Sequence, residues 1–314
     1  MGSVAFDACI ASARDASPVA GASHEVQSHE PLHHLRDVPQ RRWLCTRREL
    51  IDWGFERFWN CRAMMQSKCR KDHHKYFPLK GSKMKTVLIT GANRGIGLEH
   101  ARVFAARGIH VYATTRSIDD ADELKVLAAA HAGNVTVLSY DAANPKAPAL
   151  LKSAVGDTPI DLVLANAGAM GGNKQSFGTV DIDEVLQLVR INSLAPLKLV
   201  EALADNVANS GRKLIAFQSS QMGSIGDNSS GGYYAYRISK AALNMIAKGI
   251  ARDLGSRGAI AVALHPGWVK TRMGGASAPV SVEQSVQGQQ RLFDKLTMEG
   301  SGRFFNYDGT ELPW

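Results

Sequence analysis

The sequence predicts an α/β protein built on one doubly wound, parallel β-sheet, preceded by an N-terminal extension. From residue 84 onward, short apolar strands alternate with amphipathic helices, and this alternation builds βαβ units with parallel strands. The strands are nearly continuous runs of Val, Ile and Leu, as a sheet covered on both faces requires. Residues 84–314 therefore form a single domain of ordinary size.

The predicted elements follow one another in the order that this fold requires. Strands are predicted near residues 85–90, 109–114, 135–139, 160–165, 213–218 and 259–264, and helices near residues 95–107, 119–131, 181–208 and 233–255.

The first 83 residues show no sustained period of either kind, so we predict a disordered extension. A short helix over Glu49–Met65 is the one exception. All the cysteines precede residue 84, and four Cys and His side chains in this part suggest zinc: Cys61, Cys69, His73 and His74. Their spacing matches no zinc-binding pattern, and we predict no metal site. Since the domain begins directly after Met84, a translational start at that residue is an alternative interpretation.

Charge and hydropathy exclude two classes of function. Residues 1–83 contain 14 Lys and Arg against 9 Asp and Glu, and so carry five of the eight net positive charges. Residues 84–314 are therefore nearly balanced in charge, and no nucleic-acid partner is expected. No apolar run approaches the length that spans a bilayer, so we expect no membrane partner. Without a secretory signal, the expected location is the cytoplasm.

A glycine-rich turn, Thr90–Gly97, lies between the first strand and the first helix. Gly91 permits a sharp turn, Gly95 lets the backbone approach a pyrophosphate, and Gly97 lets the helix pack closely on the strand. The helix N-terminus adds free N–H groups. The turn predicts a Rossmann-type dinucleotide site, and an ordinary glycine-rich turn is the alternative.

Tyr236 and Lys240 are four residues apart in a predicted helix, so both side chains lie on one face. A neighbouring ammonium favours the phenolate, so we expect a Tyr236 pKa below the usual value of about 10. Tyr236 would then act as general acid in a reduction and as general base in an oxidation.

Five motifs occur in the order found in short-chain dehydrogenases/reductases, and the chain resembles that family over residues 84–314; they are Thr90–Gly97, Asn166–Gly168, Ser219–Ser220, Tyr236–Lys240 and Pro266–Gly267. Three further segments resemble the C-factor and Sniffer-like carbonyl reductase branch, namely Gly223–Asn228, Phe304–Gly309 and Leu312–Trp314. The resemblance implies an oxidoreductase that moves a hydride between a nicotinamide and a carbonyl or alcohol.

The resemblance also implies four catalytic residues: Asn192, Ser220, Tyr236 and Lys240. Tyr236 would exchange the proton, and Lys240 would bind the nicotinamide ribose and depress the pKa of the tyrosine. Ser220 would polarise the substrate carbonyl, and Asn192 would hold a water that relays protons. Ser219 remains an alternative for the active serine, and a buried turn is the alternative role of Asn192.

The cofactor-binding residues that the resemblance implies surround the carboxyl ends of the strands: Gly91, Asn93, Arg94, Gly95, Ile96, Gly97, Arg116, Asp141, Asn166, Ala167, Gly168, Tyr236, Lys240, Pro266, Gly267, Val269 and Thr271. Asp141 would receive the adenine amino group, although a helix-cap role is the alternative. Thr271 would contact the nicotinamide amide.

The second strand favours NADP(H) over NAD(H), because no acid follows it until Asp119. Arg116 ends that strand and offers a planar fork suited to a 2′-phosphate, and Arg94 lies on the same side. Two ordinary surface arginines are the alternative interpretation.

Apolar and aromatic residues in the loops suit an apolar small-molecule carbonyl substrate; they are Met170, Met222, Tyr233, Tyr234, Trp268 and Met273. We expect the Asp227–Gly232 loop to bulge beside the substrate and Gly274–Pro279 to form a lid. A homodimer or homotetramer is expected through the Tyr236 helix, which carries Ala241, Ala247, Ala251 and Leu254. A signalling or redox-sensing protein with little turnover is the alternative function.

Overall fold

The computed structural model describes residues 84–314. The helix expected over Glu49–Met65, the rejected zinc site and the predicted disorder of the extension all lie outside the described residues. Within the described part, no helix combines the length and the apolar character needed to cross a membrane.

Seven parallel strands form one sheet in the order β3-β2-β1-β4-β5-β6-β7. The strands are β1 Thr86–Ile89, β2 His110–Thr115, β3 Val135–Ser139, β4 Leu162–Ala165, β5 Leu214–Gln218, β6 Ile260–His265 and β7 Phe304–Asn306. The strand order reverses between β1 and β4, and ligands of such sheets bind in the crevice beyond the carboxyl ends of the strands at this point.

Helices cover both faces of the sheet. They are α1 Gly95–Ala106, α2 Asp122–Ala130, α3 Ala147–Val155, α4 Ile182–Val189, α5 Ala195–Ala208, α6 Tyr234–Asp253 and α7 Val282–Lys295, with a π-helical turn over Arg190–Leu194 between α4 and α5. The apolar residues of α1, α2 and α7 pack on one face of the sheet, and those of α3, α5 and α6 pack on the other.

The alternation of side chains along the strands explains this division. In β1, Leu88 faces the α5 and α6 side, and Ile89 faces the α1 side. Phe104 and Phe293 are fully buried on the α1 side of the sheet, and Phe217 is fully buried on the α5 and α6 side. Both faces of the central strands are therefore apolar, as the runs of Val, Ile and Leu predict.

The doubly wound fold and all six predicted strands are confirmed. The single helix predicted over residues 181–208 is wrong in one respect, because the π-helical turn divides it. Three elements were not predicted: α3, α7 and β7. The sequence of α7 is rich in glutamine, yet Gln289 and Gln290 are buried, because both bond to the buried His100 ring. Such polar residues conceal the apolar period of a buried helix.

Candidate active site

The glycine-rich turn presents bare backbone at the carboxyl end of β1. Gly91 and Gly95 have φ values of +66° and +55°, in the left-handed region that favours glycine. A Cβ on Gly97 would overlap the carbonyl oxygen of Gly91 and lie 2.7 Å from Asn166 Nδ2. Arg94, the N-cap of α1, makes no side-chain capping bond, so the first N–H groups of the helix face outward. A side chain at these glycines would fill the cradle, and the turn therefore fits a dinucleotide pyrophosphate.

Thr90 and Asn166 hold this turn against the end of β4. The Asn166 amide donates to the carbonyl oxygens of Thr90 and Gly91 at 3.0 and 3.1 Å. In return, the Thr90 hydroxyl accepts from the backbone N–H groups of Asn166 and Ala167, both at 3.0 Å. Asn93 and Ile96 are half-buried within the turn. These bonds join the glycine-rich turn to Asn166 and Ala167, two of the other predicted cofactor-binding residues.

Tyr236 and Lys240 lie on one face of α6, where the spacing places them. Tyr236 is 7% exposed and Lys240 is 4% exposed, and Lys240 Nζ is 5.7 Å from the centroid of the Tyr236 ring. Nζ also donates to the carbonyl oxygen of Gln218 at 2.8 Å. The helix that carries both residues is therefore tied to the carboxyl end of β5.

Burial determines the protonation of both residues. It raises the pKa of Tyr236 to about 12, against a smaller lowering by the hydrogen bond with Ser220. Burial also lowers the pKa of Lys240 to about 8. The expectation that Lys240 depresses the pKa of Tyr236 below its usual value is wrong in direction here. Desolvation of the phenolate is the largest cause of the raised pKa, and the same burial disfavours the charged ammonium of Lys240.

The structure distinguishes the two serines that follow β5. The Ser219 hydroxyl is buried and donates to Asn244 Oδ1 at 2.6 Å, beneath α6. The Ser220 hydroxyl instead accepts from the backbone N–H of Met222 at 3.2 Å, and Ser220 acts to lower the pKa of the buried Tyr236 phenol. These contacts favour Ser220 as the serine of the site, because the Ser219 hydroxyl is used within the core, and the choice between the two serines stays a prediction.

Asn192 lies in the π-helical turn and joins three parts of the site. Its Oδ1 accepts from Ala169 N at 2.8 Å, while Nδ2 donates to Ala169 O at 2.8 Å and to Ser239 Oγ at 2.9 Å. A Cβ on Gly168 would lie 3.2 Å from Asn192 Oδ1 and 3.6 Å from Lys240 Nζ. The buried-turn role of Asn192 is thus present, and its role in a proton relay stays a prediction. Single π-helical turns are frequent at functional sites.

The loop after β6 closes the site from the other side. Pro266 O accepts a 2.6 Å bond from Ser285 Oγ on α7, Val269 is buried, and Gly267 has a φ of +84°. Thr271 Cγ2 would lie 3.5 Å from a Cβ placed on Gly95. The loop therefore reaches the glycine-rich turn, although the two are far apart in the sequence.

Three residues are predicted to bind the adenosine half: Arg94 in the glycine-rich turn, Arg116 directly after β2, and Asp141 after β3. Arg94 and Arg116 are exposed, and neither forms an ion pair with a carboxylate of residues 84–314. Asp141 Oδ1 accepts from Ala143 N at 3.0 Å, which stabilises a turn. Its contact with adenine stays a prediction.

The residues predicted to line the substrate site divide into two groups. Met170 and Met222 are partly buried and pack with Leu188, Ala235 and Tyr236. The other four are exposed: Tyr233, Tyr234, Trp268 and Met273.

A cavity of about 630 Å³ opens beside the loop that follows β4. It is lined by Gly171 and Gly172 of that loop, by Leu188 of α4, and by Ile191 of the π-helical turn. This cavity and the exposed aromatic side chains offer room for a small molecule.

The Asp227–Gly232 loop is held by Arg237, a residue that the sequence did not single out. Its guanidinium donates to the carbonyl oxygens of Gly231 and Gly232 at 3.2 and 3.1 Å, and to Ser230 Oγ at 2.8 Å. Gln175, which caps α6, was also missed. In the sequence both are single polar residues, and no local pattern distinguishes them from their neighbours.

The prediction of which α6 residues mediate oligomerisation is partly wrong. Ala247 and Ala251 are buried in the core of the domain itself, and Leu254 packs against that core. Ile238 and Met245 are the exposed apolar residues of α6. The periodicity of α6 alone does not tell which of its apolar faces meets the sheet.

Comparison with known proteins agrees with this geometry. The family model described as short chain dehydrogenase matches residues 85–279. The C-signal protein of Myxococcus xanthus is 43% identical over 156 residues, which are 50% of this chain and 93% of that protein. The carbonyl reductase Sniffer of D. melanogaster has a TM-score of 0.67 and 36% identity, covering 74% of this chain and all of that one. An NADPH-bound carbonyl reductase from chicken fatty liver has a TM-score of 0.69 and 31% identity, with the same coverage.

Proposed function

Because this chain belongs to the short-chain dehydrogenase family, we propose that it is an NADP(H)-dependent oxidoreductase acting on a carbonyl or alcohol. The observation that carries the proposal is that Tyr236, Ser220 and Lys240 are all buried, with Lys240 bonded to the carboxyl end of β5, which Ser220 follows. A phenol, a hydroxyl and an ammonium at this position are the groups that a proton transfer to a carbonyl oxygen requires.

The chemistry of the bound nicotinamide is the transfer of a hydride to or from the carbonyl carbon. In the reduction, the Tyr236 phenol gives its proton to the carbonyl oxygen, and the product is the alcohol. With a pKa of about 12, the phenol is protonated at neutral pH, which suits it to act as an acid. The Ser220 hydroxyl donates to the same oxygen and orients it. Lys240 and Asn192 then return a proton to the phenolate through water.

The preference for NADP(H) rests on two exposed arginines. Arg116 directly follows β2, where dinucleotide-binding folds recognise the ribose 2′-position, and no carboxylate forms an ion pair with it among residues 84–314. Arg94 lies in the glycine-rich turn. The carbonyl reductase from chicken fatty liver has NADPH bound, which supports the same preference here.

For the substrate we propose an apolar, aromatic carbonyl compound. Tyr233, Trp268 and Met273 are about half exposed around the site, and side chains of this kind bury apolar ligands. The cavity beside Leu188 and Ile191 is a separate space, which polar and charged side chains such as Lys174 also line. Both relatives of known structure are called carbonyl reductases.

A second candidate function is a signalling protein that retains the fold and the cofactor but has little turnover. The 43% identity with the C-signal protein favours it. Against it, Tyr236, Lys240, Ser220 and Asn192 are all present, and a sensor needs no proton donor.

We propose further that the protein forms a homodimer or homotetramer through α4, α5 and α6. Leu186, Leu194, Ile238 and Met245 are exposed apolar residues of this region. Exposed apolar side chains are unfavourable in water, and burying them between copies in a closed symmetric oligomer is a common outcome. Sedimentation analysis tests this: Met245→Lys should lower the mass of the particle.

The decisive experiment is a panel of aldehydes, ketones and quinones offered with NADPH, with the loss of NADPH absorbance as the readout. The Tyr236→Phe variant is the matched control, because it removes the acid and changes little else. Turnover that depends on the Tyr236 hydroxyl supports the enzyme. Tight NADPH binding without turnover of any of these compounds would favour the signalling protein.

A further inference from the structure

One side chain in the loop after β4 differs from all its neighbours. Gln175 is 3% exposed, whereas every other residue from Gly171 to Thr179 is exposed. Burying an amide is unfavourable unless each of its polar atoms finds a partner. The partners of Gln175 therefore explain why it points inward.

The Gln175 amide satisfies three backbone groups on two separate segments. Nε2 donates to the carbonyl oxygens of Met170 and Gly172, both at 2.9 Å. Oε1 accepts from the backbone N–H of Tyr236, also at 2.9 Å. This orientation of the amide is the one that pairs donors with two carbonyls and an acceptor with an N–H group.

The same residue caps the helix that carries Tyr236. The first N–H groups of a helix have no partner within it, and a side chain at the N-cap normally accepts from them. The N-cap of α6 is Tyr233, which has a left-handed φ of +48° and makes no side-chain capping bond. Instead, Gln175 O accepts from Tyr234 N at 2.9 Å, and Gln175 Oε1 accepts from Tyr236 N. The cap of α6 thus comes from a distant loop.

The loop is shaped to admit this amide. Gly171 has a φ of +84°, and a Cβ at that position would lie 2.9 Å from Gln175 Nε2 and 2.8 Å from Leu188 Cδ1. Glycine is therefore required there for the close approach of the amide. The other end of the loop, Ala169, is held by Asn192.

We propose that Gln175 is a positioning residue that sets the place of the Tyr236 phenol and couples it to the loop lining the 630 Å³ cavity. This inference rests on the proposed function. Gln175 does not touch the reacting atoms and acts through the backbone of Tyr236. When a ligand in the cavity moves Gly171 or Gly172, the Gln175 side chain transmits the displacement to the Tyr236 phenol.

The test compares Gln175→Leu and Gln175→Glu with the wild-type protein. Leucine keeps the volume and removes all three bonds, so kcat should fall about 10- to 100-fold, as small displacements of a catalytic group do. The Kd for NADPH should stay within about twofold, because the proposed cofactor contacts are elsewhere. The kcat of Gln175→Glu should lie between those of Gln175→Leu and the wild-type protein, because glutamate keeps the acceptor for Tyr236 N. Gln287→Leu, an exposed glutamine of α7, is the matched control and should leave kcat unchanged.

Amide hydrogen exchange separates this inference from the proposed function. In Gln175→Leu, the amides of Tyr234 and Tyr236 should exchange faster, while that of Leu243 in the same helix stays protected. This readout holds even if no carbonyl compound is reduced by the wild-type protein. An unchanged kcat in Gln175→Leu, or an unchanged exchange rate at Tyr236, would overturn the proposal. If the leucine variant does not fold, a kcat in Gln175→Glu equal to wild type overturns it as well.

Discussion

Lys240 Nζ donates a hydrogen bond of 2.8 Å to the carbonyl oxygen of Gln218, the last residue of β5 and two residues before Ser220. This bond joins the helix that carries Tyr236 to the strand that delivers Ser220. The relative placement of phenol and hydroxyl therefore depends on a buried backbone carbonyl, and the ammonium has a structural task besides any chemical one.

We expect Tyr236→Phe to lower kcat about 100- to 10,000-fold while leaving the Kd for NADPH within a few-fold of wild type, because proton transfer is lost and packing is kept. Steady-state kinetics and calorimetry measure the two quantities. Lys240→Ala should impair both, since it also breaks the bond to Gln218. If Tyr236→Phe retains most of its activity, the assignment of the acid is wrong.

The two serines should give opposite phenotypes. Ser220→Ala should lower kcat about a hundredfold, as the loss of a donor to a developing oxyanion does, with little change in the melting temperature. Ser219→Ala leaves Asn244 Oδ1 without its buried donor, so it should cost about 1–3 kcal/mol of the free energy of unfolding and change kcat little. Urea unfolding and kinetics on both variants check this. Equal losses of kcat would contradict it.

Arg116→Ala should reduce the preference for NADPH over NADH about tenfold to a hundredfold, because a charge-assisted bond to phosphate contributes about 1.5–3 kcal/mol. Arg94→Ala should act in the same direction and less strongly. Calorimetry with both cofactors gives the ratio of affinities, and Arg252→Ala, an exposed arginine near the end of α6, is the control. Comparable affinity of the wild-type protein for both cofactors would refute the assignment.

Acidification should destabilise the protein between about pH 6.5 and pH 4. Burial lowers the pKa of His100 and of His265 from 6.5 to about 4, so in this range the unfolded chain binds protons that the folded protein does not. The free energy of unfolding then falls as the pH falls, by up to about 1.4 kcal/mol per pH unit for each histidine. In His100→Gln about half of this dependence should disappear. Urea unfolding at a series of pH values measures it, and an undiminished slope in the variant would be the contrary result.

A protein that begins at Met84 should fold, bind NADPH and turn over as the full chain does. β1 begins at Thr86, and every residue of the proposed site lies after it. Thermal midpoints and NADPH-dependent rates of the two proteins provide the comparison. A drop of many degrees in the shorter protein would show that residues 1–83 contribute to the stability of the fold.

The sequence by itself determined the features that depend on local spacing. Gly91, Gly95 and Gly97 between a strand and a helix predicted the bare turn, because backbone geometry at a turn is a local property. Tyr236 and Lys240 share a helical face because their spacing equals one turn. The six strands were likewise predicted from the sequence, since a parallel strand that is covered on both faces is rich in apolar residues along its length.

The tertiary structure alone decided which side chains complete the site. Gln175 bonds to Tyr236 across 61 residues of sequence, and no local pattern indicates such a pair. The two serines after β5 differ in their tertiary contacts, since the Ser219 hydroxyl donates to Asn244 Oδ1 of α6 and the Ser220 hydroxyl accepts from Met222 N. The pKa of Tyr236 is raised because burial of the phenol outweighs the lowering by Ser220. Desolvation is a property of the whole packed surroundings, which the spacing of two residues does not contain.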